Sequence, residues 1–314
     1  MTQTNDSVKK ATRTAYGEAL VGLSEKNEKI VVLDADLSHA TMTYDFSKKY
    51  GDRFFNMGIA EANMICMAAG LSAMGYIPFV STFAIFGAGR AYEQIRNSVA
   101  YPHTNVKIAL THSGVTIGED GGSHASIEDI ALMRVIPGMT IICPSDALQT
   151  RKAIQAAAEF SGPCYIRLAR MASPILKEMP FEIGRANILA EGEDVVIIAC
   201  GLMVHIALKA RELLRQKNIH SAVVDMHTIK PVDKVMIRRL AERFSKIVTL
   251  EEHSIIGGLG DAVRDELPEN IKIKKLGVTD VFGQSGKPEH LLQHYRLDAV
   301  SVMQDIMEAM FQNF

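Results

Sequence analysis

Residues 30–36 read Ile-Val-Val-Leu-Asp-Ala-Asp, a β-branched run that ends in carboxylates. So short an apolar run, with no polar residue breaking it, suits a strand buried on both faces. Upstream, from Ser7 to about Leu23, apolar residues recur at helical spacing, so a helix is expected before this strand. The alternation repeats through 54–57, 77–83, 106–111, 140–143 and 165–168, with helix-length segments or connecting loops between. That rhythm predicts an α/β fold with a parallel sheet covered by helices on both faces. From Met171 to Glu193 the periodicity fades into Pro174, Glu178, Pro180 and two glycines, and a domain boundary is expected there. Apolar runs restart at 195–199, 222–224, 247–250 and 273–276, with helical patterns at 204–215 and 235–243. The expected division is a first domain over 1–180 and a second, smaller α/β domain over 190–314, the latter with mixed strand directions allowed. A chain of 314 residues, 47% hydrophobic, can bury two such cores.

Composition narrows the function. The 34 basic and 36 acidic residues leave a formal charge of −2 and no basic stripe, which argues against nucleic acid as a partner. The N-terminal Met-Thr-Gln-Thr-Asn-Asp-Ser lacks the basic-then-apolar layout of a signal peptide, and no apolar run approaches the roughly 18 residues that span a bilayer. A soluble, cytoplasmic protein that meets no membrane is expected. Cys66, Cys143, Cys164 and Cys200 lie scattered in apolar stretches without C-x-x-C pairing, and are expected to be reduced core residues.

In open α/β sheets, ligands bind beyond the carboxyl ends of strands, so polar residues that follow strand runs are the ones to interrogate. Asp36, Glu61, His112 and Arg170 all stand at such places. Glu61, in Asn56-Met-Gly-Ile-Ala-Glu61, begins a helix whose following residues are almost wholly apolar. It reads either as a complement to the helix dipole or as a buried acid held against a ligand nitrogen. Phe83 and Phe86, three residues apart in Ser81-Thr-Phe-Ala-Ile-Phe86, read as core packing or as a platform for a flat ring. The stretch from Thr111 to His124 crowds His112, His124, Glu119, Asp120 and four glycines into one post-strand loop, a composition suited to proton exchange with a hydroxylated substrate near neutral pH. It has no metal-ligand spacing, and no metal held by this chain alone is expected. Arg170 reads as an anion clamp or a surface ion pair. Residues 251–260, Glu-Glu-His-Ser-Ile-Ile-Gly-Gly-Leu-Gly, resemble a phosphate-binding turn but lack its final glycine, and read as a tight structural turn.

Together, G-I-A-E at Glu61, S-T-F-x-x-F at Phe83 and Phe86, T-H-S-G-V-x-x-G-E-D-G-x-S-H at 111–124 and L-A-R at Arg170 resemble the transketolase family. Downstream, Asp225-Met-His-Thr-Ile-Lys-Pro, residues 251–260 and Asp280-Val-Phe-Gly-Gln-Ser-Gly look like that family's C-terminal domain, so the resemblance spans nearly the whole chain. It implies a thiamine-diphosphate enzyme that moves a two-carbon ketol unit between sugar phosphates. In that likeness Glu61 bonds N1′ of the aminopyrimidine and favours the tautomer that activates the thiazolium carbon. Phe86, with Phe83 nearby, stacks on the ring, and Asp36 matches the carboxylate of the A-D-L motif near the cofactor. His112, Asp120 and His124 match substrate-hydroxyl and proton-transfer positions, and Arg13 and Arg170 match the arginines that hold a sugar phosphate.

Two departures are visible: A-D-L-x-P-S reads Ala35-Asp-Leu-Ser-His-Ala40, and Gly89 occupies an aromatic position. The family's G-D-G…N motif for Mg2+ or Ca2+ and the diphosphate is not in this sequence. The resemblance therefore implies an N-terminal partner subunit that carries that site, in a dimer of heterodimers, without which this chain is inactive. The β subunit of a 2-oxo-acid dehydrogenase decarboxylase, a deoxyxylulose-phosphate synthase and a non-catalytic paralogue share the layout; the paired His112 and His124 with Arg13 favour sugar-phosphate transfer.

Overall fold

In the computed structural model, which describes residues 5–311, the strand Ile30–Asp34 is buried along its whole length. Val31 and Leu33 join one apolar cluster, and Ile30 and Val32 join another, as the two-residue period of a strand requires. The helix Glu61–Ala73 contributes Met64 and Ile65 to the first cluster. On the other face Tyr16 and Leu20 of the helix Thr12–Ser24 and Ile154 of the helix Ala147–Glu159 pack around Phe79.

The sheet has seven strands, ordered Thr228–Lys230, Thr140–Ile142, Cys164–Arg167, Lys107–Leu110, Ile77–Ser81, Ile30–Asp34 and Phe54–Asn56. All neighbours run parallel except Thr228–Lys230, which is antiparallel to Thr140–Ile142. Ile30–Asp34 has one successor on each side, Phe54–Asn56 and Ile77–Ser81, so the chain reverses direction across the sheet there. Such a switch point opens a crevice at the strands' carboxyl ends. A second sheet of five strands is ordered Ile273–Val278, Ile247–Ser254, Val195–Ala199, Ser221–Asp225 and Asn187–Ala190, antiparallel only at the last. The helices Met203–Arg215 and Ala299–Phe311 flank it. One cluster runs without a break from Leu33 and Ile108 of the first sheet to Ile198 and Val224 of the second, so the two domains share a core.

The protein has the expected two-domain α/β fold with mostly parallel sheets. Local expectations differ in four places. The helix expected from Ser7 starts at Thr12; Asn5–Ala11 is a strand paired antiparallel with Ala172–Ile175, because the returning connector supplies backbone partners from far along the chain. Asn187–Ala190, expected in the connector, is an edge strand of the second sheet. Thr228–Lys230, expected in the second domain, completes the first domain's sheet. Cys66 is exposed, whereas Cys143, Cys164 and Cys200 are buried. Residues 1–4 and 312–314, the ends of the two expected domains, lie outside the described residues. No helix among the described residues is long and apolar enough to cross a membrane.

Candidate active site

Two strand ends at the carboxyl edge turn through left-handed backbone: Asp36 has φ 64° and His112 has φ 60°. Asp and His tolerate that region better than most residues, and such conformations gather at functional sites. The turn at Asp36 is held by Asp34, whose buried carboxylate accepts from the Leu37 amide at 2.6 Å and from Thr41 and Thr43 hydroxyls at 2.7 and 2.9 Å. Asp36 itself is exposed and accepts from Asn56 Nδ2 at 2.9 Å, which ties it to the segment leading into the Glu61 helix.

Glu61 occupies the first turn of that helix and is 4% exposed. Its Oε1 accepts from Arg90 Nη1 at 2.9 Å, and the same guanidinium lies 4.1 Å from the centroid of the Phe86 ring. Phe86 opens a π-helical turn, Phe86–Arg90, of the kind often found at functional sites. Gly87 lets this turn lie against the strand Lys107–Leu110: a Cβ there would meet Leu110 Cδ1 at 2.5 Å. Phe83 stacks near-parallel to Phe86 at 5.6 Å and to His112 at 3.8 Å, while the edge of His124 meets Phe86 at 5.1 Å. Glu61, Phe83, Phe86, His112 and His124 therefore form one constellation at the switch point. Sequence reading missed Arg90, although its place four residues after Phe86 puts both on one helical face.

His112 is polarised from both sides. Arg13 Nη1 lies 3.2 Å from its Nε2, and Thr111 Oγ1 lies 2.7 Å from its Nδ1. A guanidinium can only donate, so Nε2 accepts and the proton sits on Nδ1, facing Thr111. Burial, then Arg13, Arg170 and His124, lower the His112 pKa to about 3, so the ring is neutral at physiological pH. Arg13 also donates to Ala40 O at 2.8 Å, while its buried Nε has no hydrogen-bond partner among the described residues. Burial and then Arg170 lower the Arg13 pKa, the mark of two guanidiniums that share one region. Arg170 Nη1 donates to Asp120 Oδ2 at 3.0 Å and to Ile117 O, which closes the loop from the side.

The second domain shapes the same loop from behind. Glu252 Oε1 accepts from Thr116 N at 2.6 Å, and Ser285 Oγ donates to Glu119 O at 2.7 Å. Gly122 lies so close to the second domain that a Cβ would stand 2.2 Å from Gly283 O. Deeper in the seam, Asp129 takes Arg167 Nε at 2.7 Å, Arg167 Nη2 at 3.2 Å and Tyr165 OH at 2.6 Å, all buried. Glu251 fills the start of the helix Leu259–Arg264, accepting from Leu259 N at 2.6 Å and Gly260 N at 2.8 Å. The glycine turn at 257–260 is thus filled by a carboxyl group from within the protein, whose pKa burial raises to about 7 against the lowering by those amide bonds. Among the described residues no group of three or more His, Cys, Asp or Glu side chains is placed to hold a metal ion.

The family models for "Transketolase, pyrimidine binding domain" and "Transketolase, C-terminal domain" match residues 8–174 and 184–302. A protein named as a transketolase C-terminal section from Methanocaldococcus jannaschii is 49% identical over 96% of this chain and 97% of its own length. A subunit of the 6-deoxy-6-sulfo-D-fructose transketolase of Clostridium sp. (strain MSTE9) is 40% identical over 93% of this chain and 92% of its own. Among solved structures, a split-gene transketolase described as an inactive β4 tetramer superposes with a TM-score of 0.89 at 51% identity, covering 96% of this chain and 98% of that one.

Proposed function

The chain belongs to the transketolase family, and from that premise we propose that it is the pyrimidine-holding subunit of a two-chain, thiamine-diphosphate-dependent transferase acting on sugar phosphates. The observation that carries the reading is that one flat group, the Arg90 guanidinium, reaches both the buried Glu61 carboxylate and the Phe86 ring. A carboxylate and an aromatic face spanned by one planar donor fit the aminopyrimidine of the cofactor. When bound, thiamine diphosphate supplies the nucleophilic carbon that takes up and hands on the two-carbon unit. Glu61 would accept a hydrogen bond from the ring nitrogen and so select its tautomer. Phe86, backed by Phe83, would fix the plane of the ring.

His112 is neutral, and its one lone pair, on Nε2, which faces Arg13, would accept from a substrate hydroxyl once a sugar phosphate engages that guanidinium. His124, at the edge of Phe86, and Asp120 stand on the same loop. Arg13 and Arg170 bring two guanidiniums to the rim, where a sugar phosphate would take Arg13's buried, unpaired Nε and draw Arg170 from Asp120. Asp36 in this reading orders the segment that leads to Glu61.

The diphosphate and its Mg2+ or Ca2+ fall to an N-terminal partner subunit in this reading. Support comes from the word "subunit" in the Clostridium relative's name and from the split-gene neighbour, inactive as a β4 assembly. Surface chemistry adds to it. Ile59 just before the Glu61 helix, Met67 within it and Met74 just after it are exposed apolar side chains suited to subunit contact. Two copies of each chain are proposed, with each active site shared.

The test is two-carbon transfer with thiamine diphosphate and Mg2+ by this chain co-purified with candidate N-terminal-half proteins. Activity should need both chains and fall by about 10²–10⁴-fold in Glu61→Ala. Transfer that survives this substitution would remove Glu61 from the chemistry, and decarboxylation of a 2-oxo acid without ketol transfer would redirect the assignment.

A further inference from the structure

Arg90 stands where the reading above puts the aminopyrimidine. Three groups surround the Phe86 ring: Phe83 lies near-parallel to it, tilted by 16°, His124 is steeply inclined to it at 71°, and the Arg90 guanidinium lies over the ring. The same guanidinium is the one side-chain donor to the Glu61 carboxylate among the described residues. A guanidinium is flat, donates in its own plane and stacks on aromatic faces. Those are the two interactions a protonatable heteroaromatic ring makes with a carboxylate and a phenyl group.

The two partners differ in how firmly they are held. The Glu61 side chain is 5% exposed and that of Arg90 is 52% exposed. Arg90 can therefore swing into solvent with little loss of buried surface. Glu61 cannot follow, but the space that the half-exposed Arg90 leaves opens its carboxylate to water or to another donor. A ring that carries its own N–H donor can therefore take the place of Arg90.

We propose that Arg90 is a displaceable stand-in for the cofactor's flat ring, closing the seat between Glu61 and Phe86 until a ring with its own N–H donor takes both contacts. The inference rests on the cofactor reading. It makes Arg90 a positioning residue that holds the Glu61 carboxylate in its orientation before binding, at the expense of some apparent affinity.

Thiamine itself is the informative probe, because without the diphosphate its affinity reports the ring seat rather than a partner's phosphate site. On the full chain, titration by calorimetry or ligand-observed NMR should show Arg90→Ala binding thiamine up to about fivefold more tightly than wild type, the range set by an exposed ion pair. Arg90→Lys, which can pair but cannot stack as a plane, should fall between. In wild type labelled at arginine, the Arg90 guanidinium resonance should carry a Phe86 ring-current shift and slow rotation, both lost as thiamine is added. Equal or weaker binding by Arg90→Ala, or an Arg90 signal that thiamine does not move, overturns the stand-in role while leaving the cofactor reading intact. Absence of thiamine binding by every variant overturns both. Unfolding midpoints of the variants establish that they are folded.

Discussion

Two of the molecule's arginine–carboxylate pairs are built to opposite ends. At the carboxyl edge of the first sheet, Arg90 gives Glu61 one bond of 2.9 Å and leaves half its own side chain in solvent. In the seam between the domains, Arg167 grips Asp129 through Nε and Nη2 at 2.7 and 3.2 Å, both side chains buried, and adds bonds to Ser126 O and Glu252 O. Burial pushes the Asp129 carboxyl up, and the Arg167 guanidinium more than reverses it, holding the acid below its usual range. The first pair is exchangeable; the second joins the sheets. The difference lies in whether both partners are enclosed: water can replace the half-exposed Arg90 beside Glu61, whereas Asp129 stays shut from solvent when Arg167 is removed.

The sharpest way to break this contrast is to truncate each arginine. Arg167→Met leaves Asp129 charged and buried, with the Tyr165 OH bond as its remaining side-chain hydrogen bond among the described residues, and should cost about 3–5 kcal/mol in urea unfolding. Arg90→Met should cost under about 1 kcal/mol. Removing both seam charges in Asp129→Leu/Arg167→Met should recover much of the loss, because the penalty belongs to the unpaired charge. Comparable costs at Arg90 and Arg167 would mean that burial does not separate the pairs.

Asp225 sharpens the same point, for it is a seam carboxylate with no guanidinium. Its Oδ2 accepts from Gln149 Nε2 at 2.6 Å and Ser145 Oγ at 3.2 Å, while the buried Oδ1 has no partner among the described residues. Burial raises its pKa to about 7 against the lowering by those hydrogen bonds. The unfolded chain releases this proton near pH 4 and the folded chain near pH 7, so the folded state holds more protons between. Stability from this residue is present at low pH and lost as pH rises through that window. Asp225→Asn should remove that slope, on the order of 2–4 kcal/mol between pH 4 and 8 relative to wild type, read from denaturant midpoints across pH. An unchanged slope would mean that Asp225 is already ionised, its charge met in some other way.

The contrast also explains what could be read in the sequence. Residues of the edge announce themselves: Glu61 opens an apolar helix, and two histidines with glycines fill the loop after Leu110, where a polar cluster has little structural reason to be. Strands such as Ile30–Asp34 and Val195–Ala199 were legible because both faces are buried and the apolar run is continuous. Seam residues send no such signal. The run Ile247–Leu250 reads as a strand that ends, yet the strand continues to Ser254, which pairs with Val278 and donates its N–H to a first-domain carbonyl, Ile127 O, at 2.7 Å. Asn5–Ala11 and Thr228–Lys230 were missed for the same reason, since pairing partners far along the chain, Ala172–Ile175 and Thr140–Ile142, make them strands. What periodicity cannot show is which distant group will satisfy a polar residue.

The smallest expected effect lies where the two regions meet. Ser285 Oγ donates to Glu119 O at 2.7 Å, and Gly283 packs against Gly122, so the second domain braces the loop that carries Asp120 and His124. Ser285→Ala removes one hydrogen bond and keeps the backbone contact, which should loosen the loop by about 0.5–1.5 kcal/mol. Because the loop can open without the sheets separating, global stability should stay within about 0.5 kcal/mol of wild type. Amide exchange over residues 115–124 should then quicken by about two- to tenfold, with the strands Lys107–Leu110 and Ile247–Ser254 unchanged. Exchange that quickens in those strands as well would place Ser285 in the rigid seam. No change anywhere would leave the brace to the backbone contact at Gly122, which Gly122→Ala, meeting Gly283 O directly, should then disturb.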